Sequence, residues 1–300
     1  RHLVRRRRQQ DQLRGIVAAL NGDHIEPVLL KGARYLLAPE ESWQAARDMR
    51  DIDLLVRADD AHRASAALEA LGYSAGPPIN PVHHHLPELW HPDFPSAVEI
   101  HTEALAFASR SILATDEVWR LGRRSSAPLG SYILLPDEWH LLHCLLHHQI
   151  SDRGHVRRIL AVKPLWEFAM QGSELSDQAW HSIAGRMAER GHPDVLGSWI
   201  VQAARLYGLG IPRGLEIPPA TRAHANSTFA HAGAPEWLRR SRFLVDQFRF
   251  AFSPTTLGLR YGIDKEAVSV RTIGHHVRVV LRRHRGRLLR RLLGTGSRPS

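Results

Sequence analysis

The 300-residue chain has a single cysteine, Cys144, and only three lysines, Lys31, Lys163 and Lys265. One thiol excludes an internal disulfide framework and suits a reducing compartment. Long apolar runs are missing too: none approaches the roughly 18 residues that span a bilayer. The start, RHLVRRRR, leads into QQDQLRG without the apolar segment that a secretory signal places there. The expectation is a soluble, cytoplasmic protein. Its 43% hydrophobic content is that of a globular chain, long enough for one large or two modest domains.

With lysine scarce, almost all positive charge is arginine, and it is spread unevenly. Residues 1–8 hold five arginines and residues 277–300 hold eight, with no acidic residue in either stretch. A net charge of +10 therefore becomes −3 for everything between. Basicity is expected in two tails, free to contact anionic partners, and a mildly acidic body argues against a nucleic-acid groove in the core. A nucleic-acid binder would have to work through the tails. The C-terminal stretch VRVVLRRHRGRLLRRLLG interleaves arginine with valine and leucine. Such a segment lies on an anionic membrane, grips nucleic acid, or packs its leucines on the body.

The chemistry centres on residues 47–57, RDMRDIDLLVR. On a strand, Asp51 and Asp53 project to one face while Ile52, Leu54 and Val56 fill the other. Two carboxylates that close raise each other's pKa unless a cation lies between them. Mg²⁺ or Mn²⁺ is the hard cation that such oxygen donors select. The D-x-D pattern is short, and a surface strand whose aspartates meet only water reads the same way.

The flanks give it a setting. Leu13, Ile16, Val17 and Leu20 recur at helical spacing over residues 9–20, stopped by Asn21-Gly22. PVLLKGARYLLAP predicts a strand at 28–30, a turn at Lys31-Gly32 and a helix from Ala33 to Leu37. A glycine at that junction admits a ligand to the backbone, and the helix start offers unpaired N–H groups to an anion, although a plain tight turn has the same pattern. Ala61, Ala64, Leu68 and Leu71 form the apolar face of a helix closed by Gly72. Residues 73–98, rich in proline and histidine, read as a loop with a broken strand at 86–90. In AVEIHTEAL, Val98 and Ile100 share one strand face while Glu99 and His101 share the other. A charge in a short apolar strand is costly unless paired or exposed, which makes Glu99 a third metal-ligand candidate.

VLLKGA, RDMRDIDLLV, a histidine-containing hairpin and VEIH, in that order, resemble the bacterial uncharacterised nucleotidyltransferase family of the polymerase-β-like superfamily. Lys31, Gly32, Arg47, Asp51, Asp53, Glu99 and His101 fall on the family's motif positions, and the likeness extends over roughly residues 10–210. It implies an α+β fold, a small mixed-sheet core followed by a mostly helical half. It also implies a metal-dependent enzyme that transfers a nucleoside monophosphate from a nucleoside triphosphate, ATP included, to an acceptor hydroxyl. Asp51, Asp53 and Glu99 would hold Mg²⁺ or Mn²⁺, with Lys31, Gly32, Arg47 and His101 toward the nucleotide. The acceptor, whether small molecule, protein or RNA end, is not named by any motif. A non-catalytic binding protein or antitoxin-like protein on the same fold is the alternative.

From Pro136 the pattern turns helical. PDEWHLLHCLLHHQISD starts a helix with proline and acids and carries His140, His143 and His147 on one side. The spacing of His143 and His147 is that of a zinc pair without the acidic base of a metalloprotease, so packing or a phosphate-facing role competes with metal. GHVRRILAVKPLWEFAM predicts a helix kinked or displaced at Pro164, with Glu167 at a position often acidic in the family. Helices follow at 176–190 and 194–207, then a linker-like stretch over 208–236 and a helix at 236–252. The expected division is a catalytic domain at 1–130, a helical domain at 131–252 and a basic tail at 253–300.

Overall fold

The computed structural model describes residues 2–39, 42–47, 49–77, 83–126 and 130–280. It divides into two compact units, Arg1–Gly233 and Ala234–Ser300. The arginine-rich stretch from residue 281 onward, with the readings attached to it, lies outside the described residues.

The first unit opens with α1 (His2–Gly22), which begins earlier than the apolar periodicity suggests. The first arginines are therefore no tail. Arg6 is 2% exposed and donates to the carbonyls of Tyr35 and Ala38 at 3.0 and 2.8 Å, and Arg5 donates to those of Met49 and Pro95 at 2.9 and 3.1 Å. Guanidinium forks satisfy loop carbonyls that no ladder reaches, which is why polar residues continue the helix. Next come β1 (Val28–Leu29), a 3₁₀ turn at Lys31–Leu37 in place of an α-helix, β2 (Asp51–Leu55) and α2 (Ala61–Ala70). Then follow β3 (Ser74–Ala75), β4 (Leu89–Trp90) and β5 (Ala97–His101). The segment continues with α3 (Phe107–Arg110), α4 (Thr115–Leu121), β6 (Arg123–Ser125) and β7 (Tyr132–Leu134).

These strands form one mixed sheet in the order β3-β4-β5-β2-β1-β7-β6. β2 runs parallel to β5 and antiparallel to β1. Side-chain alternation sorts its two faces. Ile52, Leu54, Val98 and Ile100 pack with Leu13, Ile16, Leu20 and Leu68 of α1 and α2. Leu55, of the same parity as Asp51 and Asp53, joins Leu105, Leu142 and Leu145 in the other core. The acidic side chains thus stand on the face that the helical half covers.

That half comprises α5 (Asp137–Leu146), a π-helical turn at His147–Ser151, α6 (Gly154–Arg157) and α7 (Val162–Ser173). α8 (Asp177–Glu189), α9 (Pro193–Tyr207) and α10 (Pro219–Ala232) complete it. Pro164 lies in the first turn of α7, where its missing N–H costs nothing, because the chain breaks beforehand with Arg158 at a φ of 53°. α10 corrects the linker reading. Its polar sequence shows little amphipathic pattern, but prolines at 218 and 219 start it, and it packs through Thr221, Ala225 and Thr228. The second unit contains α11 (Glu236–Ala251) and α12 (Pro254–Tyr261), with residues 270–280 also helical. No helix among the described residues is long and apolar enough to cross a membrane.

Candidate active site

Parallel pairing of β2 and β5 puts Asp53 directly opposite Glu99, Leu55 opposite His101 and Asp51 opposite Ala97. Strand parity then gathers Asp51, Asp53, Glu99 and His101 on one face. The ligating atoms of Asp53, Glu99 and His101 lie within 4.8 Å of one another; Asp51 is beside this group and outside it. His101 Nε2 donates to Asp53 Oδ1 at 2.9 Å and lies 3.3 Å from Glu99 Oε2. Lys31 Nζ donates to the same Asp53 Oδ1 at 2.7 Å.

Charge pairing overrides burial in this cluster. Burial alone would raise the Asp53 pKa, yet Lys31 and His101 hold it well below the usual carboxylate range. Glu99 is lowered against its own burial, chiefly by its contact with His101. His101 and Lys31 are both raised, since their carboxylate partners outweigh the loss of water. Asp51 goes the other way: burial, then the nearby Asp53 charge, raise it, and no hydrogen bond reaches it from the described residues.

Lys31 adopts a φ of +42°, a left-handed conformation uncommon for a residue with a side chain. His140 of α5 supports it, with Nε2 3.0 Å from the Lys31 carbonyl oxygen and Nδ1 3.2 Å from Gln171 Oε1. One turn on, His143 Nε2 bonds the Ala104 carbonyl at 2.8 Å, just beyond β5. These two histidines therefore hold the chain segments that carry Lys31 and His101, and packing wins over metal for His143. Burial pushes the His143 pKa down to about 3.

Gly32 is required by packing. A Cβ there would lie 1.7 Å from Arg47 Nη1 and 2.6 Å from Met49 Sδ. Arg47 crosses this gap to Glu167 of α7, Nε to Oε1 at 2.7 Å, with side chains 14% and 10% exposed. Glu167 thereby acquires a role as the Arg47 counter-ion. The charge of Arg47 still reaches Asp51, as a minor lowering influence on its pKa. Sequence reasoning also missed His84 and His85, although three consecutive histidines at 83–85 signal them. Their rings lie 5.2 and 5.4 Å from that of His101, and His85 bridges to His101 antiparallel.

Residues 2–208 match the model of a family described as uncharacterised nucleotidyltransferase. The chain belongs to this family. No curated protein is significantly similar to it. Among solved structures, the antibiotic-resistance factor ANT(2'')-Ia aligns with a TM-score of 0.43 and 12% identity over 61% of this chain and 92% of that one. A likeness at that level carries no argument about substrate.

The donor set fits a divalent ion. Two carboxylates, Asp53 and Glu99, converge from neighbouring strands with a third, Asp51, beside them; against one lysine and one histidine the three leave the cluster negative even with His101 protonated. Oxygen donors of this kind select Mg²⁺ or Mn²⁺ over softer metals. Two cavities of about 10 and 530 Å³ lie elsewhere, the larger among Asn21, Glu26, Arg57, Trp119 and Arg124.

Proposed function

We propose that the chain is a metal-dependent nucleotidyltransferase that moves a nucleoside monophosphate from a nucleoside triphosphate to an acceptor hydroxyl. The observation that carries this reading is the register pairing of Asp53 with Glu99, with Asp51 on the same face, in a chain of a nucleotidyltransferase family. Asp51, Asp53 and Glu99 would hold Mg²⁺ or Mn²⁺. The ion supplies charge neutralisation at the α-phosphate and a lowered pKa for the attacking hydroxyl. Lys31 offers a fixed ammonium beside the carboxylates, and Arg47 a second positive charge behind Gly32. Both offset the charge of a triphosphate. His101 keeps Asp53 and Glu99 ionised, the form in which carboxylates bind a cation. Positioning and electrostatics supply most of the rate in such chemistry, so little further machinery is required.

One observation favours a second reading, a binding protein without catalysis: Asp53 already carries an ammonium partner at 2.7 Å. The experiment that separates them is incubation with Mg²⁺, each α-phosphate-labelled nucleoside triphosphate and a cell extract. Nucleotidyl transfer predicts label on an acceptor and release of pyrophosphate, both lost in Glu99→Gln. Nucleotide binding without transferred label would leave only the binding protein.

A further inference from the structure

A second convergence of ligating groups lies beyond His84, whose ring is 5.2 Å from that of His101 and 6.5 Å from that of His147. The ligating atoms of His147, His148 and Asp152 lie within 4.8 Å of one another. Asp152 Oδ2 is 3.3 Å from His147 Nδ1 and 3.6 Å from His148 Nδ1. In an α-helix, consecutive side chains diverge by about 100° and residues five apart by about 140°, so one carboxylate does not face two consecutive histidines at those spacings. Here the chain leaves α-geometry. His147–Ser151 is π-helical, and the Asp152 N–H bonds the His147 carbonyl at 2.9 Å, a five-residue step. A π-turn closes between four and five residues, so Asp152 stands one turn beyond both His147 and His148. Such insertions concentrate at functional sites.

Tetrahedral zinc, with bonds of about 2.0–2.2 Å, has ligand-to-ligand edges of roughly 3.3–3.6 Å, which the two observed separations match. His147 Nδ1 is buried with no hydrogen-bond partner although Asp152 Oδ2 is so near. Asp152 is 55% exposed, which leaves the solvent side open to a further ligand. We propose that His147, His148 and Asp152 form a site for a divalent transition metal of the zinc class, with its fourth position open. Two imidazoles and one carboxylate select such an ion, whereas the carboxylate-rich cluster of Asp53 and Glu99, with Asp51 beside it and His101 Nε2 engaged by both carboxylates, selects a harder one. The proposal does not depend on nucleotidyl transfer.

Co²⁺ titration of the chelator-stripped full chain tests it, since four-coordinate Co²⁺ absorbs visible light and Zn²⁺ displaces it silently. One equivalent of Co²⁺ giving a Zn²⁺-displaceable band is the expected result. Outer-shell changes already cost about 10–100-fold in metal affinity, so His148→Ala and Asp152→Asn, each removing a ligand, should weaken binding at least about 100-fold. Glu99→Gln and the exposed His62→Ala should retain it. Absence of a band in the wild-type protein overturns the proposal whatever the variants do. A band lost in Glu99→Gln and kept in His148→Ala also overturns it, by assigning the ion to the carboxylate cluster.

Discussion

Asp53 and Lys31 share a 2.7 Å ion pair in which Asp53 is 3% and Lys31 16% exposed, and His101 donates to the same carboxylate oxygen. Removing one partner of a buried pair typically costs about 3–5 kcal/mol, because the other charge is stranded. Asp53→Asn is therefore expected to lose stability on that scale as well as transfer. Glu99→Gln keeps a side-chain oxygen toward His101 and breaks no direct contact with Lys31, so it should lose transfer at a smaller stability cost than Asp53→Asn. Urea denaturation beside the labelled-nucleotide assay checks both. Equal stability of the two variants would show that Lys31 and Asp53 are not coupled.

Gly32→Ala should act through Arg47. The added methyl meets the guanidinium that reaches Glu167, and displacing it leaves a buried carboxylate without its partner. A loss of about 1–3 kcal/mol is expected. A double-mutant cycle with Glu167→Gln should be strongly non-additive, since both changes break one interaction. Additive effects would detach Gly32 from the Arg47–Glu167 pair.

Arg6→Ala should destabilise by about 1–3 kcal/mol, because the Ala38 carbonyl loses its charged donor and the Tyr35 carbonyl keeps only the Ala38 N–H. The exposed Arg63, paired only three residues away with Asp60, serves as a control whose removal costs under about 1 kcal/mol. Chemical denaturation of both variants distinguishes a structural N-terminal helix from a solvated basic arm.

Acid should weaken the fold above the carboxylate range. His140 and His143 are buried and neutral, with pKa values well below the usual 6.5, about 3 for His143. Below pH 6.5 the unfolded chain binds protons that these two do not. Each removes about 1.4 kcal/mol per pH unit until its folded pKa is reached. His101 acts with the opposite sign: its raised pKa gives stability that is present below pH 6.5 and fades as pH rises through the folded value. Urea midpoints between pH 6.5 and 4.5 should fall steeply, and His143→Gln should flatten the slope by about one histidine's share.

The cluster was legible because strand alternation is a local rule: DIDLLV and AVEIH each assign their own faces, and register partners then bring Asp53 to Glu99. Lys31, Gly32 and Arg47 were legible only as positions. Their partners Asp53, Met49 and Glu167 include one 120 residues distant, and no spacing rule pairs Arg47 with a residue of α7. His140 and His143 read as one helix face, but the carbonyls of Lys31 and Ala104 that they bind belong to turns whose geometry no periodicity carries. α10 escaped because its face is small and polar, and the π-turn because one inserted residue breaks the very period by which helices are read.

Mn²⁺ binding, followed by the paramagnetic resonance of the free ion, tests the central claim most directly. Wild-type protein should hold one Mn²⁺ that Mg²⁺ displaces and Zn²⁺ at the His147 site does not, with the affinity reduced at least about 100-fold in Glu99→Gln. Unchanged Mn²⁺ affinity in folded Glu99→Gln would contradict the account.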